Sequence, residues 1–174
     1  RQGQAATEKI KQLAQAHGID IRGGKVRRTS SRFCLGVEHG DYNGTELFGG
    51  GTDRFIWLAY RPNDSRTVRL FSGNFPEDGV VEFQLGSVPE PKSAAMAHTW
   101  ARFPCGVEYI LRREVIVLGQ GIDAVIYGNI PGGGMSRSAS LTLNLILSLL
   151  DANGIEMEDK LTIVDMAQAV ENDY

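Results

Sequence analysis

A run of glycines and serines occupies residues 130–140, which read Ile-Pro-Gly-Gly-Gly-Met-Ser-Arg-Ser-Ala-Ser. Three consecutive glycines let the backbone approach an anion closely and present several N–H groups to it. The apolar segment that follows, residues 141–150, is predicted to be a helix, whose start adds unpaired N–H donors and the positive end of its dipole. Serine hydroxyls at 136, 138 and 140 would add donors or a ligand for Mg²⁺. The run therefore predicts a phosphate-binding loop, and the alternative is a plain helix N-cap with glycine punctuation.

A second stretch, residues 31–44, places charged, imidazole and amide side chains in one short segment. Glu38 and Asp41 can accept hydrogen bonds from neighbouring sugar hydroxyls, and His39 can donate or accept one. Arg32 can stabilise charge on a phosphoryl group during its transfer. This mixture suits a polyol substrate. The alternative is that the Asp-Tyr-Asn-Gly sequence forms a simple turn beside solvated side chains.

The segments that must position these residues carry the periodicities of helices and strands. Helical spacing of apolar residues predicts helices over residues 4–16, 94–113, 139–150 and 158–174. Pro104 indicates a kink or a later start in the second of these. The third is apolar on nearly all sides and is expected to be buried. The last is expected to bring together Leu161, Val164, Asp165, Ala169 and Val170.

Strand composition bounded by turn residues predicts strands over residues 25–35, 54–60, 67–72, 80–85 and 120–130. The glycine-rich residues 36–51 are predicted to form a loop that carries sites. Because short turns separate the three central strands, an antiparallel meander is expected there. The order of strands before, between and after helices indicates an α+β layered domain.

Composition limits the class of protein and of partner. The chain has 174 residues, 42% of them hydrophobic, and a formal net charge of −3, as expected for one soluble globular domain. This charge gives no case for nucleic-acid or membrane binding, so a small-molecule partner is expected. Two cysteines, Cys34 and Cys105, are too few for a disulfide scaffold and indicate a reduced, cytoplasmic setting. The sequence has no apolar run long enough to span a membrane and no recognisable signal peptide.

The two chemistry-bearing stretches together resemble a known family. The pattern resembles that of the galactokinases, which belong to the GHMP family of small-molecule kinases. It consists of Arg32, then Glu-His-x-Asp-Tyr-Asn-Gly at 38–44, and then Gly-Gly-Gly-Met-Ser-x-Ser-Ala-Ser at 132–140. The Trp-Ala-Arg-Phe segment at 100–103 is similar to the family's Trp-Ala-Asn-Tyr segment, and Gln-Ala-Val-Glu at 168–171 looks like its Ala-Glu-containing helix. The first motif is specific to galactose-type kinases, whereas the glycine-serine loop is shared by the wider family.

The resemblance implies a fold, a reaction and a set of site residues. The implied fold is that of domain 2 of ribosomal protein S5, a layered α+β domain with a mixed, mostly antiparallel sheet packed on helices. The implied reaction moves the γ-phosphoryl group of ATP to the anomeric hydroxyl of galactose with Mg²⁺, mainly by positioning and electrostatic stabilisation. Arg32 would lie beside the phosphoryl acceptor as the catalytic residue, and Ser138 would contact the metal ion. The sugar would be bound by Glu38, His39 and Asp41, and the nucleotide by Trp100, Gly132, Gly133, Gly134, Ser136, Arg137 and Ser138.

Three alternatives stay open. Trp100 lies either near the adenine or in the core as an ordinary buried aromatic. Arg137, which replaces the middle serine of the family's serine run, either pairs with a phosphate or occupies the phosphate site. The full-length protein is accordingly a galactokinase-like enzyme, a non-catalytic sensor of galactose and ATP, or a kinase for N-acetylgalactosamine or arabinose.

Both ends of the sequence indicate a part of a longer protein. The chain begins at Arg1 without a methionine, and it stops at Tyr174 within a predicted helix. The resemblance implies that the family's catalytic aspartate and its second domain follow beyond Tyr174. We therefore expect residues 1–174 to be the N-terminal GHMP kinase domain, with the C-terminal domain absent from this chain, and to be inactive alone.

Overall fold

The computed structural model describes residues 2–30, 55–128 and 135–174, and the side chains within residues 4–30, 55–128 and 139–174. In these ranges the chain forms four α-helices around one five-stranded sheet. The helices are Gln2–His17 (α1), Arg102–Arg113 (α2), Met135–Ala152 (α3) and Lys160–Asp173 (α4). The strands are Lys25–Ser30 (β1), Phe55–Pro62 (β2), Thr67–Ser72 (β3), Val80–Gln84 (β4) and Ile122–Gly128 (β5). Short 3₁₀ helices lie at Pro76–Asp78 and Ala94–Met96.

Local sequence sets where the helices begin and end. The side chain of Asp159 caps the start of α4, because it accepts hydrogen bonds from two backbone N–H groups of the first turn. Helix α2 begins only at Arg102, so Pro104 lies in its first turn, where a missing N–H removes no helical hydrogen bond. Of the two alternatives that Pro104 indicates, a kink and a later start, the structure confirms the later start. Helix α1 ends at His17, before Gly18 with a φ of 67°.

The sheet has the strand order β1-β2-β5-β3-β4. Three pairings are antiparallel and the β3–β5 pairing is parallel. The predicted antiparallel meander is therefore wrong, because β5 lies between β2 and β3. The side chains from Ile122 to Ile126 of β5 are all buried, and a strand covered on both faces belongs in the centre of a sheet. The local sequence pattern predicted which segments form strands, but it did not predict that β5 would lie between β2 and β3.

The sheet separates α1 from the other three helices. Alternate side chains of β2 point to opposite faces, as strand geometry requires. One face, with Ile56, Leu58 and Tyr60, packs against α2, α3 and α4. The opposite face, with Phe55, Trp57 and Ala59, packs against α1. The predicted fold class is confirmed: an α+β layered domain with a mixed, mostly antiparallel sheet packed on helices.

Helix α4 buries only part of the group of residues that the sequence places near one another, with Val170 buried and Val164 and Ala169 partly buried. Its buried residues are Ile163, Met166, Ala167 and Val170. Leu161, which is also in the predicted group, is 73% exposed. The buried face is the one that packs against α2 and α3, and Leu161 lies in the first turn outside it.

Helix α3 begins earlier than predicted. It starts at Met135, four residues before the predicted start at 139, so residues 136–138 belong to the helix and not to the loop. Apart from the partly buried Leu147, the side chains of residues 140–150 are buried. This confirms that the helix is buried on nearly all sides.

Candidate functional site

Three strand ends meet at one edge of the sheet. Strands β1 and β5 both pair antiparallel with β2, and β5 pairs parallel with β3, so β1, β3 and β5 run in the same direction. Their last residues are Ser30, Ser72 and Gly128. Ser30 lies opposite Phe55, and Gly128 lies opposite Ile56. The chain therefore leaves β1 and β5 at the same edge of the sheet, on either side of the start of β2, and we call this edge the site edge.

Most sequence-predicted site residues follow these strand ends in the chain. Outside the described residues lie Arg32, Glu38, His39, Asp41, Gly132, Gly133 and Gly134. The backbone of the first turn of α3 includes Ser136, Arg137 and Ser138, whose side chains lie outside the described ones. Trp100 is described in full. The assignments of these residues to sugar, nucleotide and metal remain predictions.

The start of α3 follows the three glycines directly, at Met135. The first four N–H groups of an α-helix have no partner within the helix, and the helix dipole adds partial positive charge there. The first turn of α3 contains no acidic residue that would oppose an anion. The backbone at this point therefore suits a phosphate group, as the sequence predicts.

A buried polar cluster joins the end of β1 to α3. Thr29 Oγ1 donates a hydrogen bond to the carbonyl oxygen of Ser140 at 3.1 Å, and Ser140 Oγ donates one to Thr29 Oγ1 at 2.9 Å. Asn144 Nδ2 donates to the same Thr29 Oγ1 at 3.3 Å. The Thr29 hydroxyl thus donates one hydrogen bond and accepts two, which is its full capacity. We call Thr29, Ser140, Asn144 and Ser148 the β1–α3 cluster.

Asn144 links α3 to two strands. Its Nδ2 also donates to the carbonyl oxygens of Arg27 in β1 at 3.1 Å and of Ile56 in β2 at 3.3 Å. Its Oδ1 accepts a hydrogen bond from Ser148 Oγ at 3.0 Å. The side chain is buried, and both polar atoms of its amide have partners. A buried polar group that is fully hydrogen-bonded fixes the elements it joins.

Asn74 holds the end of β5. Its Nδ2 donates to the carbonyl oxygen of Gly128 at 3.0 Å, and the backbone N–H of Gly128 donates to its Oδ1 at 2.8 Å. The backbone N–H of Asn74 in turn donates to Ser72 Oγ at 3.1 Å. A Cβ atom at Gly128 would lie only 3.2 Å from Ile56 Cγ1 and 3.3 Å from the carbonyl oxygen of Phe55. The strand end before the glycine run is therefore held closely between β2 and Asn74.

Trp100 lies in the core, beside the segment that follows β3. It is 2% exposed, and its ring stacks on Phe75 with centroids 6.3 Å apart and planes 9° from parallel. Asp78 Oδ2 accepts hydrogen bonds from the backbone N–H of Trp100 at 3.1 Å and from Thr99 Oγ1 at 3.2 Å. The indole Nε1 is buried without a hydrogen-bond partner among the described residues. These contacts favour the core alternative for Trp100, and its contact with a nucleotide stays a prediction.

Sequence reasoning missed the residues that hold the site edge together, namely Thr29, Asn74 and Asn144. A signal existed for Asn144, because it interrupts an otherwise apolar helix together with Thr142 and Ser148, and a buried polar side chain requires a partner. Thr29 carries no such signal, since its neighbours in sequence are also polar.

A second polar group lies at the other end of β1 and α3, away from the site edge. Asp151 Oδ2 accepts hydrogen bonds from Tyr60 Oη at 2.7 Å and from Lys25 Nζ at 2.9 Å. Burial raises the pKa of Tyr60 to about 12, with Arg27 opposing this shift and Asp151 adding to it. Burial also opposes ionisation of Asp151, but the hydrogen bonds from Lys25 and Tyr60 outweigh it and hold the pKa of Asp151 below its usual value. This group ties α3 to β1 and β2 at a distance from the predicted chemistry.

Other reactive groups in the described residues offer little chemistry. Cys105 is buried, and burial, with a smaller effect of the Glu108 carboxylate, raises the pKa of its thiol to about 12. The thiol therefore stays protonated and inert at neutral pH. Among the described side chains, no group of three or more His, Cys, Asp and Glu residues could hold a metal ion. No helix within the described ranges is long and apolar enough to cross a membrane.

Sequence comparisons point to one family. A family model described as "GHMP kinases N terminal domain" matches residues 103–174. A galactokinase from Streptococcus thermophilus is 34% identical over 144 residues, which cover 82% of this chain and 36% of that protein. The chain thus spans little more than a third of the length of this relative.

Solved structures agree with the sequence comparisons. The crystal structure of Lactococcus lactis galactokinase complexed with galactose matches with a TM-score of 0.68 and 25% identity, over 97% of this chain and 42% of that one. The Methanococcus jannaschii mevalonate kinase matches with a TM-score of 0.58 over 87% of this chain and 47% of that one, and at 15% identity it supports the fold alone. From its fold, its motifs and these relatives, the chain belongs to the GHMP kinase family, with its sequence relatives among the galactokinases.

Proposed function

We propose that residues 1–174 form the N-terminal domain of an ATP-dependent sugar kinase that phosphorylates the anomeric hydroxyl of galactose. The observation that carries the proposal is the site edge, where the segment with Glu38, His39 and Asp41 follows Ser30 and the glycine run follows Gly128. A kinase must hold the acceptor hydroxyl and the γ-phosphoryl group next to each other. The likeness to galactokinases, one of them solved with galactose, supports galactose as the acceptor.

The nucleotide half of the proposed site is the start of α3. A helix N-terminus directly after three glycines fits a polyphosphate, because it offers unpaired N–H groups and carries no acidic residue in its first turn. The hydroxyl of Ser138 would contact Mg²⁺. When bound, MgATP supplies the phosphoryl group and part of the charge neutralisation that its transfer needs. The phosphates would be held by Gly132, Gly133, Gly134, Ser136, Arg137 and Ser138.

The sugar half of the proposed site follows β1. Arg32 is two positions beyond Ser30, the last residue of β1, in the sequence. Its guanidinium would stabilise the charge that develops between the acceptor hydroxyl and the transferred group. Glu38, His39 and Asp41 would orient the sugar through hydrogen bonds to its hydroxyls.

We also propose that a second domain, outside residues 1–174, completes the site. The chain covers 36% of the Streptococcus thermophilus galactokinase and 42% of the solved Lactococcus lactis chain. The catalytic aspartate implied by the family resemblance would come from the remaining part. On this proposal the full-length protein, and not residues 1–174 alone, carries the activity.

Release of ADP by the full-length protein tests the proposed reaction. With MgATP we expect turnover on galactose, measured beside N-acetylgalactosamine and arabinose to define the accepted hydroxyl pattern. Asp41→Asn should raise the KM for galactose strongly, because it removes a carboxylate that would bind sugar hydroxyls. Asp165→Asn, at an exposed position on α4, is the matched control and should leave the KM unchanged. Absence of ADP release with all three sugars would contradict the proposal.

Arg137 favours a second candidate function, a sensor that binds galactose and ATP without turnover. An arginine within the serine run can pair with a phosphate group, and it can also fill the place of one. Calorimetry of the full-length protein separates the candidates when combined with the ADP assay. Tight binding of both ligands without ADP release would favour the sensor, and sustained turnover would exclude it as the sole role.

A further inference from the structure

We propose that Asn144 is a positioning residue that sets the start of α3 relative to the end of β1. The inference rests on the proposed function, which assigns the nucleotide phosphates to the start of α3 and the acceptor sugar to the segment after β1. Asn144 is buried in the third turn of α3, so it acts through the elements it joins and not by touching a ligand.

The hydrogen bonds of Asn144 converge near the site edge. Its Nδ2 lies 3.1 Å from the carbonyl oxygen of Arg27, 3.3 Å from Thr29 Oγ1 and 3.3 Å from the carbonyl oxygen of Ile56. Thr29 is the next-to-last residue of β1. Ile56 is the residue of β2 that lies opposite Gly128, the last residue of β5. One amide group therefore contacts β1, the strand that leads to the sugar motif, and β2, the strand that pairs with the end of β5.

Apolar packing alone would not set this position. The side chains of α3 that enter the core are mostly leucine and isoleucine, and burial of apolar surface has no preferred direction. It therefore tolerates small shifts and rotations of the helix. Hydrogen bonds weaken steeply with poor geometry, so the β1–α3 cluster selects one placement of α3.

Asn153 provides a matched control at the other end of α3. Its Oδ1 accepts hydrogen bonds from the backbone N–H groups of Gly119 and Gln120, both at 2.8 Å. Its Nδ2 donates to the carbonyl oxygens of Gln120 at 3.1 Å and of Leu149 at 2.9 Å. Truncation of either asparagine removes several side-chain hydrogen bonds, but only truncation of Asn144 releases the end of α3 that follows the glycine run.

Kinetics of the full-length protein separate the two asparagines. The kcat/KM for MgATP is measured at saturating galactose, at a temperature at which wild type, Asn144→Ala and Asn153→Ala are all folded. We expect a fall of about 10-fold to 100-fold in Asn144→Ala, because a misplacement of about 1 Å can cost about 100-fold in rate. In Asn153→Ala we expect a change within about twofold. An equal fall in both variants, or no fall in Asn144→Ala, would overturn the proposal.

Hydrogen exchange of the same variants gives a readout that does not depend on catalysis. In Asn144→Ala the amides of residues 139–143 should lose more protection than those of residues 148–152, and Asn153→Ala should show the reverse order. If wild type releases no ADP with any sugar, the proposed function fails and hydrogen exchange alone decides the positioning role. Equal loss of protection along α3 in Asn144→Ala would then overturn it.

A milder pair of variants covers the case in which Asn144→Ala does not fold. Thr29→Val keeps the side-chain volume but removes one acceptor of Asn144 and both hydrogen bonds with Ser140, whereas Thr29→Ser keeps the hydroxyl. Thr29→Val should show the kinetic loss and the local loss of protection, and Thr29→Ser should restore wild-type values. Identical behaviour of the two variants would overturn the proposal.

Discussion

Thr29 and Ser140 are 111 positions apart in the sequence, yet they are joined by two hydrogen bonds inside the protein. Thr29 lies near the end of β1, and Ser140 lies in the second turn of α3. The pair thus ties the strand that leads into residues 31–54 to the helix that follows residues 129–134. On the proposed function these two segments carry the sugar and the phosphates, so the pair joins the two halves of the site.

Loss of the Thr29 hydroxyl should destabilise the protein more than loss of the Thr29 methyl group. Thr29→Val should lower the free energy of unfolding by about 1 to 3 kcal/mol, because it leaves the buried hydroxyl of Ser140 without its acceptor. Thr29→Ser loses only a methyl group and should cost about 0.8 kcal/mol. Denaturant unfolding at neutral pH measures both. Equal stability of the two variants would mean that the hydrogen bonds contribute little.

Val115 is a strained residue at the end of α2. The backbone N–H of Val115 donates to Arg112 at 2.9 Å and that of Ile116 donates to Leu111 at 2.8 Å, the paired bonds of a helix terminus that favours glycine. Val115 nevertheless has a φ of 65° and is 82% exposed. Val115→Gly should therefore raise the free energy of unfolding by on the order of 1 kcal/mol, because it removes the left-handed strain at little loss of packing.

The control for this prediction is Val117→Gly. Val117 is 66% exposed and is not among the described residues with positive φ, so glycine there adds only flexibility to the unfolded chain. Thermal unfolding of the full-length protein should show a raised Tm for Val115→Gly and a lowered Tm for Val117→Gly. A lowered Tm in both would show that position 115 carries no strain that glycine relieves.

The two tryptophans of the chain, Trp57 and Trp100, report on opposite faces of the sheet. Trp57→Phe leaves Trp100 as the reporter, in full-length protein whose tryptophans outside residues 1–174 are replaced by phenylalanine. Addition of MgATP should change its fluorescence, because the proposed nucleotide site lies at the start of α3, which packs on the same face. Trp100→Phe, which leaves Trp57 beside α1, should show no change. A response confined to Trp57 would contradict the placement of the nucleotide at the start of α3.

Tyr60 should make stability fall at alkaline pH. Its pKa is raised to about 12 by burial, against about 10 for a tyrosine in an unfolded chain. Between these values the unfolded state loses the Tyr60 proton and the folded state keeps it, so stability falls as pH rises from about 10 toward 12. Tyr60→Phe should show a smaller fall in the urea midpoint over this range than wild type. Parallel profiles of the two proteins would show that Tyr60 does not drive the alkaline loss.

Local patterns predicted the elements of the fold but not their neighbours. The run at residues 67–72 matches β3 at both ends, because turn residues bound it on each side. Its parallel partner β5 begins only at Ile122. Parallel pairing requires a long crossover connection, and no short-range signal in residues 67–72 specifies which later segment will fill that place.

In the candidate site, too, the sequence predicts residues whose chemistry is local but not residues whose role depends on long-range contacts. Residue types and spacing predict Arg32, Glu38 and the glycine run as site residues, because residues close together in the sequence carry the relevant chemistry. These assignments remain predictions. The role of Asn144 depends on the meeting of α3, β1 and β2, which no local window contains. The apolar helix around it shows only that a buried amide needs partners, not which ones it finds.

The identity of the phosphorylated product tests the central claim most directly. Phosphorus NMR of full-length protein incubated with MgATP and galactose follows the γ-phosphoryl group from ATP into any sugar ester. We predict a single phosphate ester whose phosphorus couples to the anomeric proton of galactose, formed in step with ADP and strongly reduced in Asp41→Asn. An ester at another hydroxyl, or no ester while both ligands bind, would contradict the assignment as an anomeric galactose kinase.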